Sequence, residues 1–194
     1  MSAEIAVPPY TRPVSVPAQE VAAVVRERLP GVGAKKLHKL LYYCQGHHLA
    51  TFGRPLFDET VSAWDMGPVV GSLWFAEKQG HASSALPRQP LGEAELNTVG
   101  YVLSRYGRLS GRDLEVLSHG EDPWQRADRS RRPGASARIE PEWMRDFFAA
   151  ANDDDEIPLE SDVVSSWLAG APERSGRPPA RDDLQRLRAR LERA

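Results

Sequence analysis

KLHKLLYYCQGHHLATFGRPLFDETVSAWDMGPVVG, residues 36–71, decides the fold. At about 100° per residue, Ala34, Leu37, Leu40, Leu41, Cys44, His48 and Phe52 share one stripe, while Lys36, Lys39 and Gly46 face away. That spacing predicts an amphipathic helix. Gly53-Arg54-Pro55 ends it, because glycine suits the position after a helix and proline cannot continue the ladder. Val61-Ser62-Ala63-Trp64 alternates like a strand. Gly67-Pro68 then turns the chain into an apolar run, Val69, Val70, Leu73 and Trp74, read as a helix from Gly67 to about Gln79 with Pro68 in its first turn. Nothing here has the form of a catalytic motif. The stretch describes a scaffold with an aromatic-lined corner at Trp64, Met66, Pro68, Val69 and Trp74.

Outward from this stretch, further helices are predicted. Ser15 is the candidate N-cap of a helix over 15–29, with Pro17 in its first turn and Val21, Val24 and Val25 on one side. A helix over 93–106 carries Leu96, Val99, Gly100 and Leu103 at core spacing. Ser110-Gly111-Arg112-Asp113 has the form of a capping box for a helix that bears Leu114 and Leu117 and stops near Gly120. Pro123-Trp124 begins a brief helical turn, residues 129–137 read as a charged loop, and 139–150 as a helix with Trp143, Phe147 and Ala150 inward. The expected fold is therefore mainly α: a compact multi-helix globular domain with a short β-hairpin or extended segment near 58–66 and 83–92. Residues 1–14 read as a loose lead-in and 15–151 as the domain. Residues 152–194 read as an acidic boundary followed by a helical extension, with helices at 158–169 and 181–193.

Composition excludes several classes. At 194 residues, with 41 % hydrophobic side chains, the chain suits one domain with some extra length. A net charge of −2 gives no global attraction to nucleic acid or an anionic membrane. The single cysteine makes no internal disulfide and fits a reducing compartment. No apolar run approaches a membrane span and no secretion signal opens the chain, so a cytoplasmic protein is expected.

Residue type and spacing suggest four chemistries, none of them complete. Cys44 and His48 form an i, i+4 pair that suits zinc, but no second cluster supplies the remaining ligands, and His48 lies on the apolar stripe as a core histidine would. Cys44 with His119 would make a nucleophile and base, yet Cys44 sits mid-helix on the buried side and no oxyanion turn is in sight. His119, with Glu121, Asp122 and Trp124 close behind, reads either as an acid–base group or as the cationic end of a helix with Trp124 in the core. Gly67 and Gly71 lack the lysine and spacing of a phosphate loop. The basic stretches 126–138 and 181–193 read as solvated surface, which disfavours nucleic acid, and Leu184, Leu187 and Leu191 make a narrow stripe that docks on a partner or folds back. No catalytic residue, metal or cofactor is assigned.

The segments KLHKLLYY-C-QGHHLA, G-R-PLFDE and AWDMGPVV, followed by YGRLSGRDLEVLSH and EDPW, resemble in their order the Panacea domain, a family that includes SocA-like antitoxins and phage-associated proteins. The resemblance covers residues 21–150. It rests on Lys36, Leu40, Tyr42, Tyr43, Gln45, Leu49, Pro55, Leu56, Phe57, Ala63, Trp64, Gly67, Pro68, Val69, Leu117, His119 and Trp124. It implies a mostly helical domain that neutralises a cognate toxin encoded by an adjacent gene, through protein–protein contact and without catalysis. The contact surface that the residues themselves suggest joins Trp64, Met66, Pro68, Val69 and Trp74 to His119, Asp122 and Trp124, and a homo-oligomer within the toxin complex is compatible with it. An adaptor that hands a bound toxin to a protease would have the same sequence features. A DNA-binding regulator and a hydrolase are the remaining alternatives.

Overall fold

The computed structural model describes residues 15–80 and 90–153. The expectations for 1–14, for 83–89 and for 154–194 lie outside the described residues.

The signature helix, α2 (Ala34–Phe52), is the axis of the molecule. Helices α1 (Ala18–Arg28), α4 (Glu93–Tyr106), α5 (Gly111–His119) and α7 (Pro141–Asp153) pack around it, together with strand β2 (Gly67–Val70). Every residue from Leu37 to Leu49 is buried, while Ala34 and Phe52, at the two ends, are exposed. The expectation of a one-sided stripe is corrected accordingly. Lys39 is inside because its aliphatic stem packs and its Nζ donates to the Pro68 carbonyl at 3.0 Å. Gly46 is inside because it lets the Phe148 ring close on the backbone; an added Cβ would lie 2.2 Å from that ring. Gly53, at φ 65°, closes the helix as expected.

Strand β1 (Val61–Trp64) pairs antiparallel with β2, Val61 opposite Val70 and Trp64 opposite Gly67. The run after Gly67 therefore starts as a strand, and helix α3 begins only at Gly71, ending at Lys78. Two features override the proline-at-helix-start reading. Gly67 holds φ 94°, which turns the chain tightly back on β1, and the absent Cβ leaves room for Lys39, whose Cε would otherwise be 2.7 Å away. A third strand, β3 (Ala137–Arg138), pairs with the other edge of β1, so the sheet order is β2-β1-β3. Its two residues fall within and beside the predicted charged loop and carry too short a pattern to signal a strand.

The other elements follow local rules with small corrections. Pro17, not Ser15, occupies the N-cap of α1; Ser15 bonds Asp58 instead, and Glu59 Oε1 accepts the Ala18 N–H at 2.9 Å. The capping box of α5 is complete: Asp113 N–H donates to Ser110 Oγ at 3.1 Å, and Ser110 N–H to Asp113 Oδ2 at 2.8 Å. Along α4 the buried positions are Glu95, Thr98, Val99, Val102 and Tyr106, with Leu96 and Leu103 only partly covered. In α7, Met144 and Phe148 are buried, Trp143 and Phe147 are half-buried and Ala150 is exposed, a rotation of one residue from the expected face. Helix α6 (Asp122–Arg129) packs against both α7 and β1. The fold is mainly α with one small antiparallel sheet.

Candidate functional site

The hairpin and the first turns of α3 bring four large side chains to one corner. Trp64 and Trp74 meet edge to face, ring centroids 5.3 Å apart at 71°. Phe75 closes on Trp74 at 5.1 Å and 88°, and on Trp64 at 6.0 Å. These are the favoured geometries of aromatic quadrupoles. The Trp64 indole N–H donates to Ser136 Oγ at 3.1 Å, and Lys78 Nζ lies 5.4 Å from the Trp74 ring centre. Trp64 and Trp74 are half-buried, but Phe75 is 54 % exposed and Met66 is 49 % exposed. Phe75 is not among the sequence-predicted site residues; its place beside Trp74, five residues after the buried Val70, is the available signal.

The corner stands on a rigid base. Lys39 reaches beneath the hairpin to Pro68, and Ser118 Oγ would sit 3.1 Å from a Cβ at Gly67, so the end of α5 touches the turn directly. Burial pushes the Lys39 amine down to about 7, opposed by Glu115. Arg131 pairs with Asp65 in the β1–β2 turn and with Asp128 of α6, tying the turn to α6. Behind it, the His119 and Trp124 rings stack at 4.0 Å. Burial holds His119 down to about 4, with Glu115 pulling the other way. The expected cationic helix end is thus replaced by a neutral, stacked imidazole, because desolvation outweighs the helix dipole here.

Between α5 and α6, Glu121 is buried and accepts from both tyrosines of α2, Tyr42 OH at 2.7 Å and Tyr43 OH at 2.9 Å. Burial raises its carboxyl to about 8, and the two hydrogen bonds pull it back. Gln45 makes a comparable brace: its amide donates to Phe57 O at 2.9 Å, and its oxygen accepts from Leu56 N–H and Phe57 N–H at 2.9 and 3.2 Å. Such networks fix the register of the packed chain, since each partner lost would strand a buried polar atom. The buried role of Glu121 is not legible in the sequence, because its partners lie 78 and 79 residues away.

The two segments expected to form one surface do meet, at the β1–β2 turn. Their side chains divide into two layers. Trp64, Met66 and Trp74 reach solvent, and the Asp122 side chain is 45 % exposed beside Arg126. Pro68, Val69 and Trp124 are buried, and His119 is largely covered. These four brace the corner from beneath.

Cys44 is free and buried, and burial pushes its thiol far up, away from the reactive thiolate. His48 Nδ1 faces Thr98 Oγ1 at 2.9 Å, and because that hydroxyl donates to Ala94 O, the imidazole is the donor: a hydrogen-bonded core histidine, as read from its stripe. His47 Nε2 lies 3.0 Å from Tyr106 OH. Among the described residues, no group of three or more His, Cys, Asp or Glu side chains is placed to hold a metal ion, and no helix is long and apolar enough to cross a membrane.

The span from α2 to Trp124 contains the aromatic corner, the Glu121 network and the His119–Trp124 stack, while Arg131 and Ser136 contact it from beyond. Residues 37–125 match the family described as antitoxin SocA-like, Panacea domain. The matched segment thus holds nearly all of the axis helix, the aromatic corner and the His119–Trp124 brace, while α1, β3 and α7, which pack against it, lie outside the match. No curated protein and no solved structure matches the chain.

Proposed function

We propose that this protein is an antitoxin that neutralises a cognate toxin, encoded by an adjacent gene, by direct protein–protein binding in the cytoplasm. The reading draws on the description of the matched family. Within the molecule, one observation carries it: Met66 and Phe75, each about half exposed, complete an aromatic corner with Trp64 and Trp74 on a base braced by Lys39, Arg131 and Glu121. Aromatic and Met side chains on a preformed support are the usual anchors of an interface, since little side-chain freedom is lost on binding. The toxin meets Trp64, Met66, Trp74 and Phe75; Asp122 stands at the rim, and Pro68, Val69, His119 and Trp124 hold the corner in shape. No catalytic residue is required, because inhibition follows from covering or trapping the toxin.

Co-expression tests this. The neighbouring gene product alone should stop growth, and this protein should restore growth and co-elute with it. A harmless neighbour with no co-elution would contradict the reading. A restored culture in which the toxin disappears only while a cellular protease is active would assign the adaptor role instead.

A further inference from the structure

Cations border the aromatic corner on two sides, and its own turn carries the carboxylate of Asp65. On the α3 side stands Lys78, exposed and lying over Trp74. On the other side, β1 pairs with β3 through Ser62 opposite Arg138, and Trp64 bonds Ser136, which places the 132–138 loop against the corner. That loop presents Arg132 and Arg138, both exposed, and holds no acidic residue. The nearby carboxylates lie against cations: Glu77 pairs with Arg26, Asp65 and Asp128 share Arg131, Asp122 pairs with Arg126, and Glu140 sits 3.0 Å from Arg138. What remains is an apolar patch with Lys78 against Trp74 on one side and, on the other, the loop that carries the exposed Arg132.

Resting on the antitoxin reading, we infer that the corner takes an acidic segment of the partner protein: one or two large apolar side chains seated among Trp64, Met66, Trp74 and Phe75, with carboxylates beside them facing Lys78 and Arg132. The apolar anchors hold the complex, and the flanking charges select acidic partners and speed their approach. A basic segment with the same anchors is rejected, because its charges would be brought against Lys78 and Arg132.

Two fluorescein-labelled peptides test this on the full chain, a Leu-x-x-Trp anchor flanked by glutamates and the same anchor flanked by lysines. The glutamate peptide should bind at least about tenfold tighter, and its advantage should shrink as salt rises from about 50 to about 300 mM. Lys78→Glu/Arg132→Glu should erase or reverse the preference, and Met66→Ser/Phe75→Ser should weaken both peptides. Equal binding of the two peptides, or no binding of either, overturns the inference. So does a glutamate-peptide affinity that rises when residues 154–194 are removed, which would make the chain's own acidic run at 153–156 the occupant. A concentration-dependent dimer abolished by Met66→Ser/Phe75→Ser would assign the corner to a second copy instead. The neighbouring gene product separates this inference from the functional reading. If it binds wild type and Lys78→Glu/Arg132→Glu with equal association rates, the acidic-segment inference fails and the antitoxin reading stands. If it does not bind at all while the glutamate peptide does, the antitoxin reading fails and the surface stands.

Discussion

Along α2 the polar side chains are inside: Lys39, Gln45, His47 and His48 are buried, and Tyr42 and Tyr43 turn their hydroxyls to a buried carboxyl. At the β1–β2–α3 corner the large apolar side chains Met66 and Phe75 are outside. The difference separates two jobs. Buried polar groups are costly unless each finds its partner, so they hold one arrangement and penalise every other. Exposed aromatics contribute little to folding and remain available to another surface. The helix sets where the corner stands, and the corner provides what it offers.

The sharpest way to break this division is to disturb the helix. Gly46→Val puts branched carbons into the space filled by Phe148, and should cost about 3 kcal/mol or more of stability, read by urea or thermal unfolding. Glu121→Ala strands the hydroxyls of Tyr42 and Tyr43 and should cost about 3 kcal/mol, or roughly 10 °C in Tm. If Glu121→Ala melts with the wild type, the network does not hold the fold.

Acidity probes the same interior more gently. Burial holds His38, His48 and His119 near 4, below their ordinary 6.5, so the native state binds fewer protons than the unfolded chain. Their contribution is complete above 6.5 and lost as pH falls through about 4, and Tm should drop over that window. Two further groups oppose each other nearer neutrality. Glu121, raised from 4.5 to about 8, contributes stability that is full below 4.5 and lost as pH rises through 8. Lys39, lowered from 10.5 to about 7, contributes stability that is full above 10.5 and lost as pH falls through 7. Glu121→Gln removes the first slope, so its Tm should climb with pH from 7 to 8 more steeply than that of the wild type.

The corner should give the smallest effect on folding. Met66→Ser/Phe75→Ser removes half-exposed surface and should change stability by about 0.5 kcal/mol per position or less, measured by the same unfolding curves. A large loss would mean that these side chains belong to the core, and the contrast with α2 would collapse.

Local chemistry made much of the fold legible. The Ser110–Asp113 box, the Gly53 stop and the alternation of Val61–Trp64 each act over a few residues, and each appears where it was read. What escaped depends on distant partners. Lys39 reads as a solvent-facing residue until the Pro68 carbonyl is placed over it, and Gly46 as one that faces away until Phe148 arrives from α7. The Gly67-Pro68 start looked helical because proline suits a first turn; the φ of 94° at Gly67 and the lysine beneath it made a strand instead. At the site, Trp64, Met66 and Trp74 were legible as large side chains around a turn. Which of their neighbours face out was not: Pro68, Val69 and Trp124 are covered, and Phe75 is the exposed one.

The decisive measurement is the affinity of the neighbouring gene product for wild type and for Met66→Ser/Phe75→Ser, with both proteins shown to melt alike. Binding weakened at least about tenfold at unchanged Tm places the partner on the aromatic corner. Equal affinity would contradict that placement and move the contact to another face of the molecule.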